Sequence, residues 1–124
     1  MNNSLEENFV FCGWKSAREV IGASDVMMLP STHEGFGLNC IEAMLMKVPV
    51  VRTKLPGYLD MQDYCFALDS PKADSIKGVL IDIVDNYENY KNIVDKAHLF
   101  ASKNCTISTM TRKCLKVYEK VIKK

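Results

Sequence analysis

The sequence predicts an α/β fold: a mainly parallel sheet of about four strands with helices on both faces. Three observations carry this. Short apolar runs alternate with helical periodicity through the first two thirds of the 124 residues. The runs are continuous rather than alternating, as in strands covered on both faces. Turn formers stop them: Gly13, then Pro30-Ser31, then Pro56-Gly57.

Phe9-Val10-Phe11-Cys12 is an apolar run ended by Gly13 and reads as the first strand. Ser16 to Ala23 reads as a short helix, with Ser16 as cap and Glu19 three residues on, the spacing of a capping box. Asp25 to Leu29 is the second strand. Leu38 to Lys47 is a helix with Leu38, Ile41, Met44 and Leu45 on one stripe. Val48 to Arg52 is the third strand, with Pro49 near its start, where a missing N–H does little harm. Tyr64 to Leu68 is a fourth, shorter strand. Three helices follow, at about 73–87, 88–103 and 107–123. Their stripes run Ile76-Val79-Leu80-Ile83-Val84, then Tyr90-Ile93-Val94-Ala97-Phe100, then Ile107-Met110-Cys114-Val117-Tyr118-Val121. Thr106 or Ser108 caps the last.

Composition narrows the function classes. The chain is 48% apolar and 25% charged, ordinary for a globular domain, which excludes fibrous and wholly disordered classes. A net charge of +1 gives no polycation signal, so no nucleic-acid partner is expected. Residues 91–124 nevertheless hold nine Lys or Arg against two acids. That end is either a solvated helix face or a contact for an anionic surface. No apolar run approaches the roughly 20 residues of a transmembrane segment, and the polar start, Met1 to Glu7, lacks a leader's pattern. Five cysteines, an odd number with no CxxC pair, indicate a reduced, cytoplasmic protein. The basic end leaves open a peripheral position at the inner membrane surface. No Asp-x-Asp, His-x-x-x-His or Ser-His-Asp arrangement supports metal hydrolysis or a triad.

The stretch that carries chemistry is Pro30-Ser31-Thr32-His33-Glu34-Gly35-Phe36-Gly37-Leu38-Asn39-Cys40-Ile41-Glu42. It leaves a buried strand and opens a helix, at the sheet edge where ligands bind in open α/β folds. Gly35 and Gly37 let backbone approach a ligand closely. The free N–H groups of the first helical turn favour an anion there. Glu34 before the glycines and Glu42 inside the helix can address opposite ends of one ligand. These features alone leave two readings open, a ligand site and a bare structural turn with Glu34 as cap and Glu42 on a solvated face. His33, Lys15, Arg18 and Lys54 read as ordinary polar residues that could also stand near an anion, and His98 as a plain helix residue.

Ala23-Ser24-Asp25-Val26-Met27-Met28-Leu29-Pro30-Ser31, then Glu34-Gly35-Phe36-Gly37-Leu38, Glu42-Ala43-Met44 and Val48-Pro49-Val50-Val51 closely resemble the group 1 (family 4) glycosyltransferases, in order, across about residues 9–68. Glu34 and Glu42 match both ends of that family's Glu-x7-Glu motif. The resemblance implies the GT-B architecture, here the C-terminal, Rossmann-like, nucleotide-sugar-binding domain in truncated form: one partial donor-binding domain over 1–124, with C-terminal helices at 73–123. It implies sugar transfer from a nucleoside diphosphate sugar with retention of configuration, no cofactor and no metal. Glu34 would be the catalytic carboxylate at the donor sugar, and Glu42 would bind the ribose. Backbone around Gly35, Phe36, Gly37, Leu38 and Asn39 would hold sugar and diphosphate, and Gly13 and Trp14 would lie near the base.

The departures are specific. The family's Arg and Lys at the diphosphate lie upstream of the stretch matched here, as does the N-terminal acceptor domain, so a longer parent or a partner chain would have to supply them. Its Gly-Gly-x-x-Glu reads Pro56-Gly57-Tyr58-Leu59-Asp60, and the following Asp-Gly-x-x-Gly reads Gln62-Asp63-Tyr64-Cys65-Phe66. Two further readings stand beside transfer: a catalytically inactive nucleotide-binding or interaction module, and a chain whose folding depends on self-association. In the resembled sheet, residues 9–12 and 25–29 are separated by two strands that this stretch does not encode. The expected repair puts strand 9–12 beside 25–29, and 25–29 beside 48–52.

Overall fold

The computed structural model describes residues 5–123; Met1 to Ser4 of the start read above, and Lys124, lie outside it. A short 3-10 turn, Leu5–Asn8, leads into α1 (Ala17–Gly22), β1 (Met27–Leu29), α2 (Leu38–Leu45), β2 (Val50–Thr53) and β3 (Phe66–Leu68). Three helices complete the chain: α3 (Ala73–Asp85), α4 (Tyr87–Asn104) and α5 (Ile107–Ile122). The three strands form one parallel sheet in the order β1-β2-β3. Met28 stands opposite Val51, and Val51 opposite Phe66.

Side chains of a strand alternate between faces, and β2 shows both faces buried. Val50 joins the larger core, built with Cys40, Ala43 and Met44 of α2, Met61 of the β2–β3 loop, and Ala97 and Ala101 of α4. Val51 points the other way, to Leu68 and Ile83, where α3 packs. The sheet therefore has helices on both faces, as the sequence predicts, with β1 beside β2.

One expected strand is absent. Residues 9–12 are neither strand nor buried: Phe9 is 65% exposed, Val10 82% and Phe11 96%. They do not pair with β1, so the sheet has three strands and the proposed repair is not made. An apolar run states that it prefers burial, not which neighbour supplies it. Downstream of it, α1 packs into the larger core through Ile21. The expected helices all form, within one to two residues of their predicted ends. Ser16 sits at the α1 N-cap without a side-chain bond, whereas Thr106 does cap α5, accepting from Thr109 N–H at 3.1 Å. The α5 stripe, by contrast, lies open: Ile107, Met110, Val117 and Val121 are all exposed.

Helix α2 ends in a left-handed residue, Lys47 (φ 58°), whose successor Val48 donates to Ala43 O at 2.9 Å. The Lys47 ammonium meets Asp95 of α4 at 2.9 Å, and His98 Nδ1 lies 2.9 Å from Leu45 O. His98, plain in the sequence, is thus a tie between α4 and the end of α2.

The fold predicts a contrast that urea unfolding can measure. Ile83→Ala removes a side chain 1% exposed and should cost roughly 2–5 kcal/mol. Phe11→Ser, in the run expected to be core, should change stability by no more than about 0.5 kcal/mol.

Candidate functional site

The loop between β1 and α2 is held from below and from one side. Thr53 Oγ1 donates to Ser31 O at 2.7 Å, tying the end of β2 to the start of the loop. Glu34 is half-buried, and its Oε1 accepts from Gly35 N–H at 3.0 Å. Gly37 is the N-cap of α2, with φ 83° and ψ 68°, a left-handed conformation that glycine adopts without strain. Cys40 N–H turns back to Gly37 O at 3.0 Å. The amides of Leu38 and Asn39 have no acceptor among the described residues, and both residues are exposed.

The side support is Gly57, also left-handed at φ 82°. A Cβ there would lie 2.4 Å from Gly35 O and 2.9 Å from Phe36 Cα. Pro56-Gly57 is therefore more than a turn: its backbone is the wall against which the Gly35-Phe36 peptide rests. Beyond it, successive turns at Leu55, Tyr58, Met61 and Tyr64 carry the chain to β3. Tyr64 stacks on Phe100 of α4 at 4.2 Å between ring centres, anchoring the far end.

The support from below is Arg52, fully buried in β2. One amino nitrogen, Nη1, donates to Phe36 O at 2.8 Å and to Met61 Sδ at 3.5 Å. The other, Nη2, donates to Pro56 O at 3.4 Å. The guanidinium thus joins both walls of the loop. It also opposes the effect of burial on Cys40, whose thiol is pushed up by desolvation and drawn part-way down by Arg52. Cys65 below is pushed up to about 12, again by burial.

One hollow borders the loop and another lies between α1 and α2. One, of about 540 Å³, is lined by Thr32, His33, Glu34, Gly35, Leu55 and Pro56. The other, of about 330 Å³, is lined by Arg18, Glu42, Leu45 and Met46. The structure therefore gathers Glu34, Gly35, Phe36, Gly37, Leu38 and Asn39 around one loop and leaves Glu42 exposed on α2, in the separate hollow it shares with Arg18. Gly13 and Trp14 are not brought in: Trp14 is fully exposed, and a Cβ on Gly13 would meet nothing within 4 Å. Lys54 is held by Asp69 at 2.6 Å, while Arg18 faces Glu42's hollow and Lys15 stands in solvent. Among the described residues, no group of three or more His, Cys, Asp or Glu could hold a metal ion.

Sequence reasoning missed Arg52 and Gly57. The signal for Arg52 was present: a strand buried on both faces leaves its last residues nowhere to expose a charge. Gly57 carried only a turn signal, because a close approach between two loops leaves no periodicity.

The chain is similar to known proteins. A family model described as glycosyl transferases group 1 matches residues 2–100. The O-antigen biosynthesis glycosyltransferase WclY of Escherichia coli is 28% identical over 101 residues, 80% of this chain and 28% of that protein. The MMP alpha-(1->4)-mannosyltransferase of Mycolicibacterium hassiacum is 26% identical over 107 residues, 83% of this chain and 26% of that protein. The chain thus spans about a quarter of the length of the curated relatives it matches. The crystal structure of Anabaena Alr3699/HepE in complex with UDP superposes with a TM-score of 0.76 at 21% identity, covering 82% of this chain and 29% of that one.

The close approach at Gly57 is testable. Gly57→Ala places a methyl group into the Gly35 carbonyl and a side chain in the left-handed region, together costing roughly 2–5 kcal/mol by denaturant unfolding. Gly35→Ala, whose Cβ meets nothing within 4 Å, should leave stability within about 0.5 kcal/mol.

Proposed function

The chain belongs to the group 1 glycosyl transferases, and on that premise we propose that it supplies the donor-binding part of a sugar transferase acting with retention of configuration. The observation that carries this is the loop itself. A glycine-rich turn opens α2 with two unmatched amides, those of Leu38 and Asn39, beside the half-buried carboxylate of Glu34.

The roles follow from the chemistry. The helix start takes the diphosphate, because its amides and dipole favour negative charge. Gly35 and Gly37 carry no side chain, so the backbone of Gly35 to Asn39 can approach the sugar and the diphosphate. Glu34, in the hollow beside them, acts on the donor sugar. Glu42, on the exposed face of α2, takes the ribose hydroxyls, and Gly13 and Trp14 take the base once the chain around them is brought in. As the glycosidic bond to the donor breaks, charge accumulates on the departing nucleoside diphosphate. Oriented amides stabilise that charge without reorganising. No protein nucleophile, cofactor or metal is called for. The acceptor is bound outside this chain, by a longer parent or a partner. Both UDP in the similar solved structure and the sugar transferases among the relatives support the reading.

Calorimetry with UDP, GDP and ADP on the 124-residue chain should find one preferred nucleotide with dissociation constants near millimolar. Loss of two charge-assisted hydrogen bonds from the upstream cations costs roughly 3–6 kcal/mol. Glu42→Ala, an exposed change that leaves the core intact, should weaken the preferred nucleotide by about tenfold. Submicromolar binding, or three equal affinities unaffected by Glu42→Ala, would contradict the assignment.

The purified chain alone should transfer no sugar above background, since none of the described residues closes over the exposed loop to exclude water. A radiolabelled-donor assay with mass-verified protein decides this, and robust transfer would refute it.

A further inference from the structure

Arg52 is the only charged side chain among the described residues that is fully buried. Its contacts are two carbonyls and a thioether, Phe36 O, Pro56 O and Met61 Sδ, and its Nε has no partner at all. The ion pairs of the described residues, Lys47–Asp95, Lys54–Asp69 and Lys91–Glu88, do not include it. The loop's own carboxylate, Glu34, instead accepts from Gly35 N–H. A buried cation without an anion is costly, so its location calls for a reason.

That location is the underside of the α2 start. A Cβ on Gly37 would lie 3.3 Å from Arg52 Nη1 and 3.3 Å from Cys40 Sγ, so the guanidinium lies directly against the N-cap and first turn. Leu38 and Asn39, whose amides lack acceptors, are in that same turn. Two positive features, a full charge and a helix N-terminus, are thus stacked at one place.

We propose that Arg52 is the electrostatic base of an anion site at the start of α2, and that the bound anion, the diphosphate of the nucleotide, supplies the counter-charge Arg52 lacks. This rests on the donor-binding reading and adds to it a cation encoded within this chain. Arg52 is fully buried, so it is a positioning residue. It fixes the Phe36 carbonyl, which sets how the following amides face, and its field reaches the anion through the thickness of one backbone turn.

The test compares wild type with Arg52→Met, which keeps the unbranched stem and removes the charge, and with Arg52→Lys, which keeps the charge. The probes are inorganic pyrophosphate, UDP and uridine on the full 124-residue chain. Pyrophosphate at about 10 mM should raise the thermal midpoint of wild type, less so Arg52→Lys, and leave Arg52→Met unmoved. UDP affinity should fall about tenfold or more in Arg52→Met, with uridine affinity unchanged, and Arg52→Lys, which keeps the charge without the planar fork, should recover part of the loss, which separates the charge from the support of the loop. If Arg52→Met does not fold, the amide resonances of Leu38 and Asn39 in wild type should still move on pyrophosphate addition. Shifts confined to other residues would overturn the proposal, as would an undiminished pyrophosphate response in Arg52→Met. UDP bound equally by wild type and Arg52→Met overturns the role of Arg52 and leaves the donor reading standing. An Arg52-dependent response to pyrophosphate, with UDP, GDP and ADP binding no tighter than pyrophosphate, supports the anion site and removes the donor reading.

Discussion

Everything at the site depends on the burial of one short helix. Helix α2 has eight residues, too few to persist alone in water, where isolated helices shorter than about 12–15 residues are marginal. It exists because Cys40, Ala43 and Met44 are sealed against the sheet and α4, with no exposure at all. Its far end is pinned by Lys47 to Asp95 and by His98 to Leu45. With its axis so held, the first turn is presented at the edge of the sheet. The glycines, Glu34 and the open amides take their positions from that packing together with the contacts that hold the loop itself.

The supports of the loop are of two kinds. Gly57 works by sterics: its missing side chain allows two backbones to touch. Arg52 works by hydrogen bonding, joining Phe36 O and Pro56 O through one planar group. Both come from the β2 segment and the turn after it, so the site is a joint product of two successive strand ends. That is the usual reason ligands collect at the carboxyl edge of a parallel sheet.

Much of this was legible from the residues. Continuous apolar runs gave β1, β2 and β3, and period-3.6 stripes gave α2 to α4, because those patterns report burial on two faces or one; α5 formed on the same periodicity with its stripe exposed. The Glu34–Glu42 stretch was legible because glycine, carboxylate and helix start follow one another along the chain. The run at Phe9–Cys12 was misread because hydrophobicity carries no address: it needs a neighbouring strand, and none among the described residues pairs with it. Arg52 was overlooked because arginine is by default a surface residue, and its burial follows only once both faces of β2 are known to be covered. Gly57 and Gly35 are 22 positions apart, and their contact depends on where the two loops end, which no local pattern encodes.

The two faces of the sheet are unequal, and this has a consequence for how the molecule opens. Among the described residues, the buried cluster on the α3 face is Val51, Leu68 and Ile83, whereas the α2 and α4 face holds the larger cluster. Local openings begin where the fewest apolar contacts are lost. Backbone amides of α3 should therefore exchange with solvent deuterium ahead of those in the buried turns of α2, through fluctuations that lift α3 while the other face stays closed. The helix that the Glu34–Asn39 loop opens, α2, belongs to the half with the larger buried cluster. Its geometry outlasts the partial unfolding of its neighbour, and the segment that binds is kept on the side of the sheet that opens last.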